Sequence, residues 1–442
     1  MFKNILLKYW NKNCVIINEV TYTYSDVFYT YKKFEHEFSE AIKESKIIAI
    51  DGIVNLNYIA IMLYLLDSKK IVVPLSIDMI KKERFLNISN VEKVVNLSSS
   101  NLEIISISKY QGSNELLNKL YETNHSGLIL FSSGTTSDPK VILHDMDVFL
   151  KKYTNLQTKN DCFLSVLKLT HIGGLNTLLH SLFSGSSIVI TENFTVKSIC
   201  QTIENFKVTI LPATPSFINL LLMTGEYNNY NLSSLKTISY GTEVMPESLL
   251  KKLNRVLPQL KIKQTYGLSE MGIFSTKSYS NESLLIKIDE RNYTTKIENG
   301  ILYIKSPQSM LGYLNYDNPF DEEGWFNTQD TVEEYEGGYL KILGRNTEII
   351  NIAGNKVYPS YIENILLNFD SIQDVVVIKG NHKLFGNYII AKVKIDKSID
   401  PIAFKKDFFE FCKKNLEKYQ IPQKLIIQND VLYSSRLKKV RY

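Results

Sequence analysis

The chain has 442 residues, 44% of them hydrophobic, which is long enough for two or three domains with separate cores. Its 51 basic and 46 acidic side chains give a net charge of +5 without a long basic run, which argues against nucleic-acid binding and a polybasic membrane anchor. The longest apolar run, residues 56–66, is about half of a bilayer span. The first residues lack the apolar core of a signal peptide. With four scattered cysteines that we expect to be free, these features predict a cytoplasmic protein without a membrane span.

The first 125 residues alternate between short strands and helices. Strands are predicted at 21–24, 46–51 and 70–75, and helices at 25–43 and 56–66. Because strand, helix and strand in this order form a βαβ unit, we predict a mostly parallel sheet with helices on its faces.

The alternation continues beyond a strand at 128–131. Helices at 175–183, 196–206, 215–222 and 246–257 each precede a strand, at 187–191, 208–211, 235–240 and 260–265. The sequence pattern then changes to short strands and turns at 301–326. After residue 344 it predicts a small unit of mixed strands and helices. The predicted fold is α/β, with a large N-terminal domain (1–343) of parallel sheets plus a small β-rich region, and a small α+β C-terminal domain (344–442).

The segment LILFSSGTTSDPK, residues 128–140, carries the first candidate site. Small and hydroxyl side chains after a buried strand let backbone N–H groups and hydroxyls surround a phosphate, and a lysine adds positive charge. The candidates are Ser132, Ser133, Gly134, Thr135, Thr136 and Lys140. The segment is not a Walker motif, and most loops of this composition are simple turns.

Two further candidates follow predicted strands. They are Gly241, Thr242 and Glu243 after the strand at 235–240, and the run QTYGLSE at 264–270. Strand ends are where open α/β sheets bind ligands, although the first segment alone is equally well read as a turn and a solitary glutamate on a loop is normally only solvated. The Glu270 carboxylate suits Mg²⁺, because a hard cation prefers oxygen ligands.

The order of these residues carries a resemblance. SSGTTSDPK closely resembles the SGTTGxPK signature of the adenylate-forming superfamily, which includes acyl-CoA synthetases, aryl-acid ligases and adenylation domains of peptide synthetases. Four later segments resemble further family motifs in the family's order: YGLSE (YGxTE), GWFNTQD (GWFxTGD), residues 344–359 (GRxxDxIKxxGxxVxP) and the tail from residue 432 (PxTxxGKxxR). The departures are Ser137, Gln329, Thr347, Asn351, Leu432 and Leu437.

The resemblance implies a role for each candidate. Phosphates would be bound by residues 132–136, Lys140 and Ser269, with Mg²⁺ on Glu270. Adenine would lie beside Tyr266, Gly267 and the backbone of 241–243. Asp330 would accept hydrogen bonds from both ribose hydroxyls, and Arg345 would reach ribose or phosphate. Further implied roles are those of His171 beside the acyl carboxylate, Gly354 along a pantetheine arm, and Lys438, or Lys439 in a shifted register, as the catalytic lysine.

The implied reaction joins a small-molecule carboxylic acid to AMP from ATP, releasing pyrophosphate, and then transfers the acyl group to a thiol. The C-terminal domain would rotate about residue 347 between the two steps. CoA is the expected acceptor. Thr170-His171 offers no acid for a substrate ammonium, so an ordinary α-amino acid is disfavoured.

Two alternatives stay open from the sequence. One is a stand-alone enzyme that loads the phosphopantetheine of an acyl carrier protein. The other is a degenerate nucleotide-binding module without turnover, which the departures favour. The retained Glu270, Asp330, Arg345 and Lys438 count against it.

Overall fold

The computed structural model describes residues 1–75, 82–97, 102–107, 114–132, 139–352, 354–382, 386–396 and 398–428. The N-terminal part contains, in order, α1 (Phe2–Lys8), β1 (Asn13–Ile17), β2 (Val20–Thr23), α2 (Tyr24–Ile42), β3 (Ile47–Gly52), α3 (Leu56–Asp67), β4 (Ile71–Leu75), α4 (Lys82–Ile88), β5 (Lys93–Leu97), β6 (Glu103–Ser106), α5 (Glu115–Thr123), β7 (Gly127–Ser132), β8 (Lys140–Asp145) and α6 (Met146–Phe149).

The following α/β run contains β9 (Cys162–Ser165), α7 (Ile172–Ser184), β10 (Ser187–Ile190), α8 (Val196–Phe206), β11 (Ile210–Ala213), α9 (Pro215–Thr224), β12 (Thr237–Tyr240), α10 (Glu247–Val256) and β13 (Lys261–Gln264). Several of these helices begin where a side chain caps free N–H groups. Thr195 and Thr214 accept hydrogen bonds from the first turns of α8 and α9, as N-cap residues do.

A β-rich region comes next, with β14 (Gly267–Leu268), β15 (Gly272–Ile273), β16 (Thr276–Ser278), β17 (Leu285–Ile288), β18 (Thr294–Glu298), β19 (Ile301–Lys305), β20 (Gly312–Tyr313), β21 (Phe326–Tyr335) and β22 (Tyr339–Arg345). The C-terminal part contains β23 (Ile350–Ile352), β24 (Asn355–Val357), α11 (Pro359–Leu366), β25 (Ile372–His382), β26 (Gly386–Ile395), α12 (Pro401–Asn415) and β27 (Lys424–Ile427).

Two seven-stranded sheets form the large N-terminal part. One has the order β20-β8-β7-β4-β3-β5-β6 and the other β13-β12-β11-β9-β10-β1-β2. Strands β5, β3, β4 and β7 run parallel, as do β13 to β10 and β1. The predicted α/β class is confirmed. Antiparallel pairs occur towards the ends of the two sheets, where β1 pairs with β2 and β7 pairs with β8.

The β-rich region is larger than predicted. Its six-stranded antiparallel sheet, in the order β16-β17-β22-β21-β19-β18, extends from Thr276 to Arg345, not only over residues 301–326. Its strands have half-buried as well as buried positions, so their apolar pattern in the sequence is weak.

Helix α3 is buried along most of its length. Every residue from 58 to 66 is buried, because this helix lies inside the largest apolar core. In the described ranges, no helix has the length and apolar character that crossing a membrane requires. The four cysteines are buried and free.

Candidate functional site

Three residues from separate motifs meet around one carboxylate. The Tyr266 hydroxyl donates to Oδ2 of Asp330 over 2.6 Å, and Nε of Arg345 lies 2.9 Å from Oδ1. Asp330 and Arg345 face each other on β21 and β22. The Asp330 side chain is 8% exposed whereas that of Arg345 is 48% exposed, so the carboxylate is fixed from inside and its guanidinium partner opens to solvent.

Burial and charge act against each other at this carboxylate. Burial raises the pKa of Asp330 above its ordinary value, and the positive charge of Arg345 opposes that rise without cancelling it. Burial and the negative charge of Asp330 raise the pKa of Tyr266, so the phenol stays protonated and donates. Each carboxylate oxygen retains a lone pair that can accept a further hydrogen bond.

A bulge in β21 presents Asp330. Across from β19, Ile301 lies opposite Thr331 but Tyr303 lies opposite Asn327, so extra residues bow out between them. Gln329 has φ of +60° at this point, and the Asn327 side chain accepts its N–H over 2.9 Å. Although a glutamine replaces the glycine of the family motif, the backbone still adopts the left-handed conformation that glycine favours.

A second group of polar side chains joins the SSGTTSDPK segment to the YGLSE segment. The Tyr313 hydroxyl donates to Oε1 of Glu270 over 2.8 Å, and Nζ of Lys140 lies 4.6 Å from the centre of the same ring, within cation–π range. Burial raises the pKa of Tyr313, and the negative charge of Glu270 raises it further. Tyr313 was not predicted from the sequence. The only signal was a Gly-Tyr pair in an apolar stretch.

Glu270 has no cluster of metal ligands around it among the residues that the structure describes. Within the described part of the chain, no group of three or more histidine, cysteine, aspartate or glutamate side chains could hold a metal ion. A Mg²⁺ ion on Glu270 would therefore take most of its oxygen ligands from phosphate groups and water, as this cation commonly does.

A buried histidine orients the residue before Glu270. Nε2 of His144 donates to the Ser269 carbonyl oxygen over 2.8 Å, and the residue is fully buried. Burial lowers the pKa of His144 to about 4. No functional signal in the sequence marks His144, because a histidine within an apolar strand is typical of a core position.

This histidine should make the protein less stable in weak acid. The unfolded chain binds a proton near the ordinary pKa of 6.5 and the folded chain only near 4, so protonation favours unfolding. The unfolding free energy should fall by about 1.4 kcal/mol per pH unit as the pH drops from 6.5 towards 4. Urea unfolding of a His144→Gln variant, which retains a donor for Ser269, should lack this part of the decline. The exposed His36→Gln control should retain it; equal slopes in all three proteins would contradict the assignment.

The predicted adenine segment is arranged by tight backbone contacts. The N–H of Thr265 donates to the Tyr240 carbonyl over 2.7 Å, and a Cβ on Gly241 would lie 2.6 Å from Oγ1 of Thr265. Thr242 has φ of +71°. The Glu243 carboxylate accepts from the N–H and hydroxyl of Ser216 at the start of α9, so it is directed to that helix, and only the backbone of Glu243 remains for a nucleotide.

Glycine at position 267 has a packing reason as well. A Cβ there would lie 2.5 Å from the carbonyl oxygen of Gly272, so the two short strands β14 and β15 approach closely only because the side chain is absent. This turn carries Ser269 and Glu270 beside the buried Tyr266.

The phosphate-loop candidates are partly described. Ser132 ends β7 directly opposite Lys140 at the start of β8, and the two strands pair antiparallel. Ser133, Gly134, Thr135 and Thr136 lie outside the described residues, as do Lys438 and Lys439.

The remaining candidates lie at turns. His171 directly precedes α7 and is half-buried. Gly354 has φ of +88° between β23 and β24, and its N–H donates to the Asn351 side chain over 3.0 Å. Asn351, which departs from the family motif, therefore closes the turn that presents Gly354.

Two sheets with helices, a β-rich region and a small α+β unit match the fold of solved adenylate-forming enzymes. The model of the AMP-binding enzyme family matches residues 66–314, more than half of the chain, and the chain belongs to that family.

Individual relatives share less than a third of their aligned residues with this chain. The chain is 30% identical over 296 residues to 4-coumarate–CoA ligase 3 of Arabidopsis thaliana, covering 60% of this chain and 53% of that protein. It is 27% identical over 320 residues to 2-succinylbenzoate–CoA ligase of Bacillus licheniformis, covering 67% and 64%. The matched region thus spans about half to two thirds of these relatives.

Solved structures resemble the whole chain in fold. The anthranilate CoA ligase AuaEII, in complex with anthranoyl-AMP, superposes with a TM-score of 0.83 at 16% identity, covering 99% of this chain and 95% of that one. The o-succinylbenzoate CoA synthetase of Bacillus subtilis, in complex with its acyl-adenylate, gives 0.76 at 20% identity, with 99% and 97% covered.

Proposed function

We propose that this protein activates a carboxylic acid with ATP, forming an acyl-adenylate and pyrophosphate, and then transfers the acyl group to the thiol of CoA. The observation that carries the proposal is the Asp330 carboxylate fixed by Tyr266 and Arg345, with Glu270, Tyr313 and Lys140 as a second polar set. Family membership supports it, as do relatives named as CoA ligases.

The residues present fit ATP and Mg²⁺. Asp330 accepts hydrogen bonds from the ribose diol, while Arg345 stays near enough to neutralise its charge. Lys140 and the loop after Ser132 balance phosphate charge, and Glu270, held by Tyr313, offers an oxygen ligand to the metal. A metal ion supplies charge neutralisation at the phosphates. The protein supplies orientation, so that the acid's carboxylate oxygen attacks the α-phosphorus in line with the departing pyrophosphate.

The thiol step involves the C-terminal part. We place the domain boundary at residue 344, with a hinge at Thr347 in the short turn Asn346–Glu348 between β22 and β23. Rotation there withdraws Lys438 and brings Gly354 to the thiol's pantetheine arm. The free cysteines support a reducing compartment such as the cytoplasm.

Carboxylate-dependent ATP–pyrophosphate exchange tests the first half of the reaction. The purified protein with Mg²⁺ should exchange label from pyrophosphate into ATP only when a suitable fatty, aryl or small hydroxy acid is present. A thioester assay comparing CoA with a holo-carrier protein then identifies the acceptor. ATP binding without exchange across a broad panel of acids would favour a binding module without turnover.

The Tyr313 hydroxyl should matter for the metal-dependent step. A Tyr313→Phe variant retains the ring under Lys140 but loses the hydrogen bond to Glu270, so the carboxylate is less well oriented. We expect exchange to fall about ten- to a hundredfold, because a hydrogen bond to a charged group contributes about 1.5–3 kcal/mol, and the Mg²⁺ concentration for half-maximal rate to rise. The exposed Tyr279→Phe serves as control. An unchanged Mg²⁺ dependence in Tyr313→Phe would contradict this role.

A further inference from the structure

One face of α7 is only half-buried, whereas the rest of the helix is fully buried. Within α7 only Gly173, Asn176 and His180 are not fully buried, and their spacing of three and then four residues puts them on a single stripe. The ring of His180 lies against Phe163 of β9, with 5.4 Å between centroids. The stripe therefore borders the face of the sheet on which the Phe163 side chain lies.

The neighbouring strands have half-buried side chains on this same face of the sheet. Ile210 of β11 is the register partner of Phe163. Two positions further along, Pro212, Ser239 and Lys263 are partners across β11, β12 and β13. Side chains on a strand alternate between faces, so these residues share the Phe163 face. All of them except Phe163 are half-buried, whereas the intervening residues on the other face are buried: Leu211, Ala213, Ile238, Tyr240, Ile262 and Gln264. The half-buried positions of α7 and of β11–β13 thus border one region on this side of the sheet, which is called the cleft below.

The charge around this cleft is mainly positive. Burial lowers the pKa of His180 to about 4, the nearby positive charges of Lys159, Lys263 and Lys152 lower it further, and Asp161 opposes them. Burial lowers the pKa of Lys263, and the positive charges of Lys261 and Lys159 lower it further. Nζ of Lys152 donates to the Ile273 carbonyl over 3.2 Å. Among the described residues no carboxylate forms an ion pair with Lys263.

His180 adds an unused hydrogen-bonding atom. Its Nδ1 is buried and has no partner within the part of the chain that the structure describes. A buried polar atom normally finds a partner, and cationic groups that outnumber the nearby carboxylates in a partly buried cleft favour an anion.

The cleft lies directly beneath the strand ends that carry the candidate adenylate site. Lys263 is three residues before Tyr266, roughly 10 Å at the rise of a strand. His180 is nine residues after His171, roughly 13 Å down the helix. These two distances match the reach of a carboxylic acid that extends inward from the reaction centre.

We propose that this cleft binds the far end of the acid substrate, and that the acid carries a second carboxylate there, which pairs with Lys263 and accepts a hydrogen bond from His180. The inference rests on the proposed function and names its substrate class. His180 serves in this role as the tautomer protonated on Nδ1, so neutral imidazole suffices.

Matched pairs of acids test this inference. ATP–pyrophosphate exchange is compared for octanoate and octanedioate, and for other mono- and dicarboxylic acids of equal carbon number. The diacid should give a KM at least about tenfold lower than its monoacid. Lys263→Met should abolish that preference by raising the KM for the diacid at least about tenfold, and Lys263→Arg should retain the preference. Lys261→Met, an exposed lysine on the same strand, is the control.

The outcomes separate the inference from the proposed function. Exchange with monoacids but no diacid preference, or a preference that survives in Lys263→Met, overturns the inference and leaves the function standing. If no acid supports exchange, calorimetric titration of octanedioate into the wild type and Lys263→Met decides the cleft. Binding that is lost only in Lys263→Met supports an anion site in a protein whose proposed function has failed. Absence of binding overturns both.

Discussion

Replacing Asp330 by asparagine should weaken ATP binding about a hundredfold. The carboxylate accepts the ribose hydroxyls in the proposed complex, and a hydrogen bond to a charged group contributes about 1.5–3 kcal/mol. Asparagine has the same shape and can still accept from Tyr266, but it offers one acceptor oxygen and no charge to Arg345. A loss of about 2.7 kcal/mol corresponds to a hundredfold rise in Kd, which calorimetric titration with ATP measures.

The control for this variant lies on the same strand. Glu334 is exposed at the far end of β21, so Glu334→Gln removes an equal charge without touching the Asp330 set. It should bind ATP as the wild type does. Thermal unfolding of Asp330→Asn shows whether the fold persists; a folded variant with unchanged ATP affinity would refute the assignment of Asp330.

Replacing Lys438 by alanine should reduce adenylate formation by about two to three orders of magnitude. The resemblance implies that this lysine neutralises the negative charge that builds up on the α-phosphate and leaving group. Removing one such donor commonly lowers the rate by a factor of that size. ATP binding should persist, because Asp330 and Tyr266 are untouched. Exchange kinetics and ATP titration on the same preparation separate the two effects.

The neighbouring Lys439 makes the register itself testable. Lys439→Ala removes the same charge one position further along, so it should retain near-normal exchange. A large loss in Lys439→Ala with normal activity in Lys438→Ala would shift the register by one. Normal exchange in both variants would remove the tail from the catalytic machinery.

Local sequence predicted the α/β elements because their patterns are strong. The run 56–66 is apolar throughout and forms α3, which is buried from 58 to 66. The helix predicted at 196–206 has the bounds of α8. The strand predicted at 208–211 is instead β11, Ile210–Ala213, because Val208 lies in the turn after α8 and is buried there without pairing as a strand.

Other features depended on pairing across the chain. The position of β1 beside β10 joins residues far apart in sequence, and no local pattern encodes such a partner. Likewise the local sequence does not predict the antiparallel pairing of β7 with β8, because the residues between them indicate only a phosphate loop.

The sequence by itself determined the family and the chemistry of the candidate residues. A carboxylate, a phenol or a lysine has that chemistry wherever it lies, and motif order is a property of the chain. Only the tertiary structure decided which groups meet: Tyr266 and Arg345 on Asp330, Tyr313 on Glu270, and His144 on the Ser269 carbonyl. It also placed Lys263 and His180 on one cleft. Burial and hydrogen bonding between distant segments set these contacts and the accompanying pKa shifts, and both arise only when the strands and helices have packed.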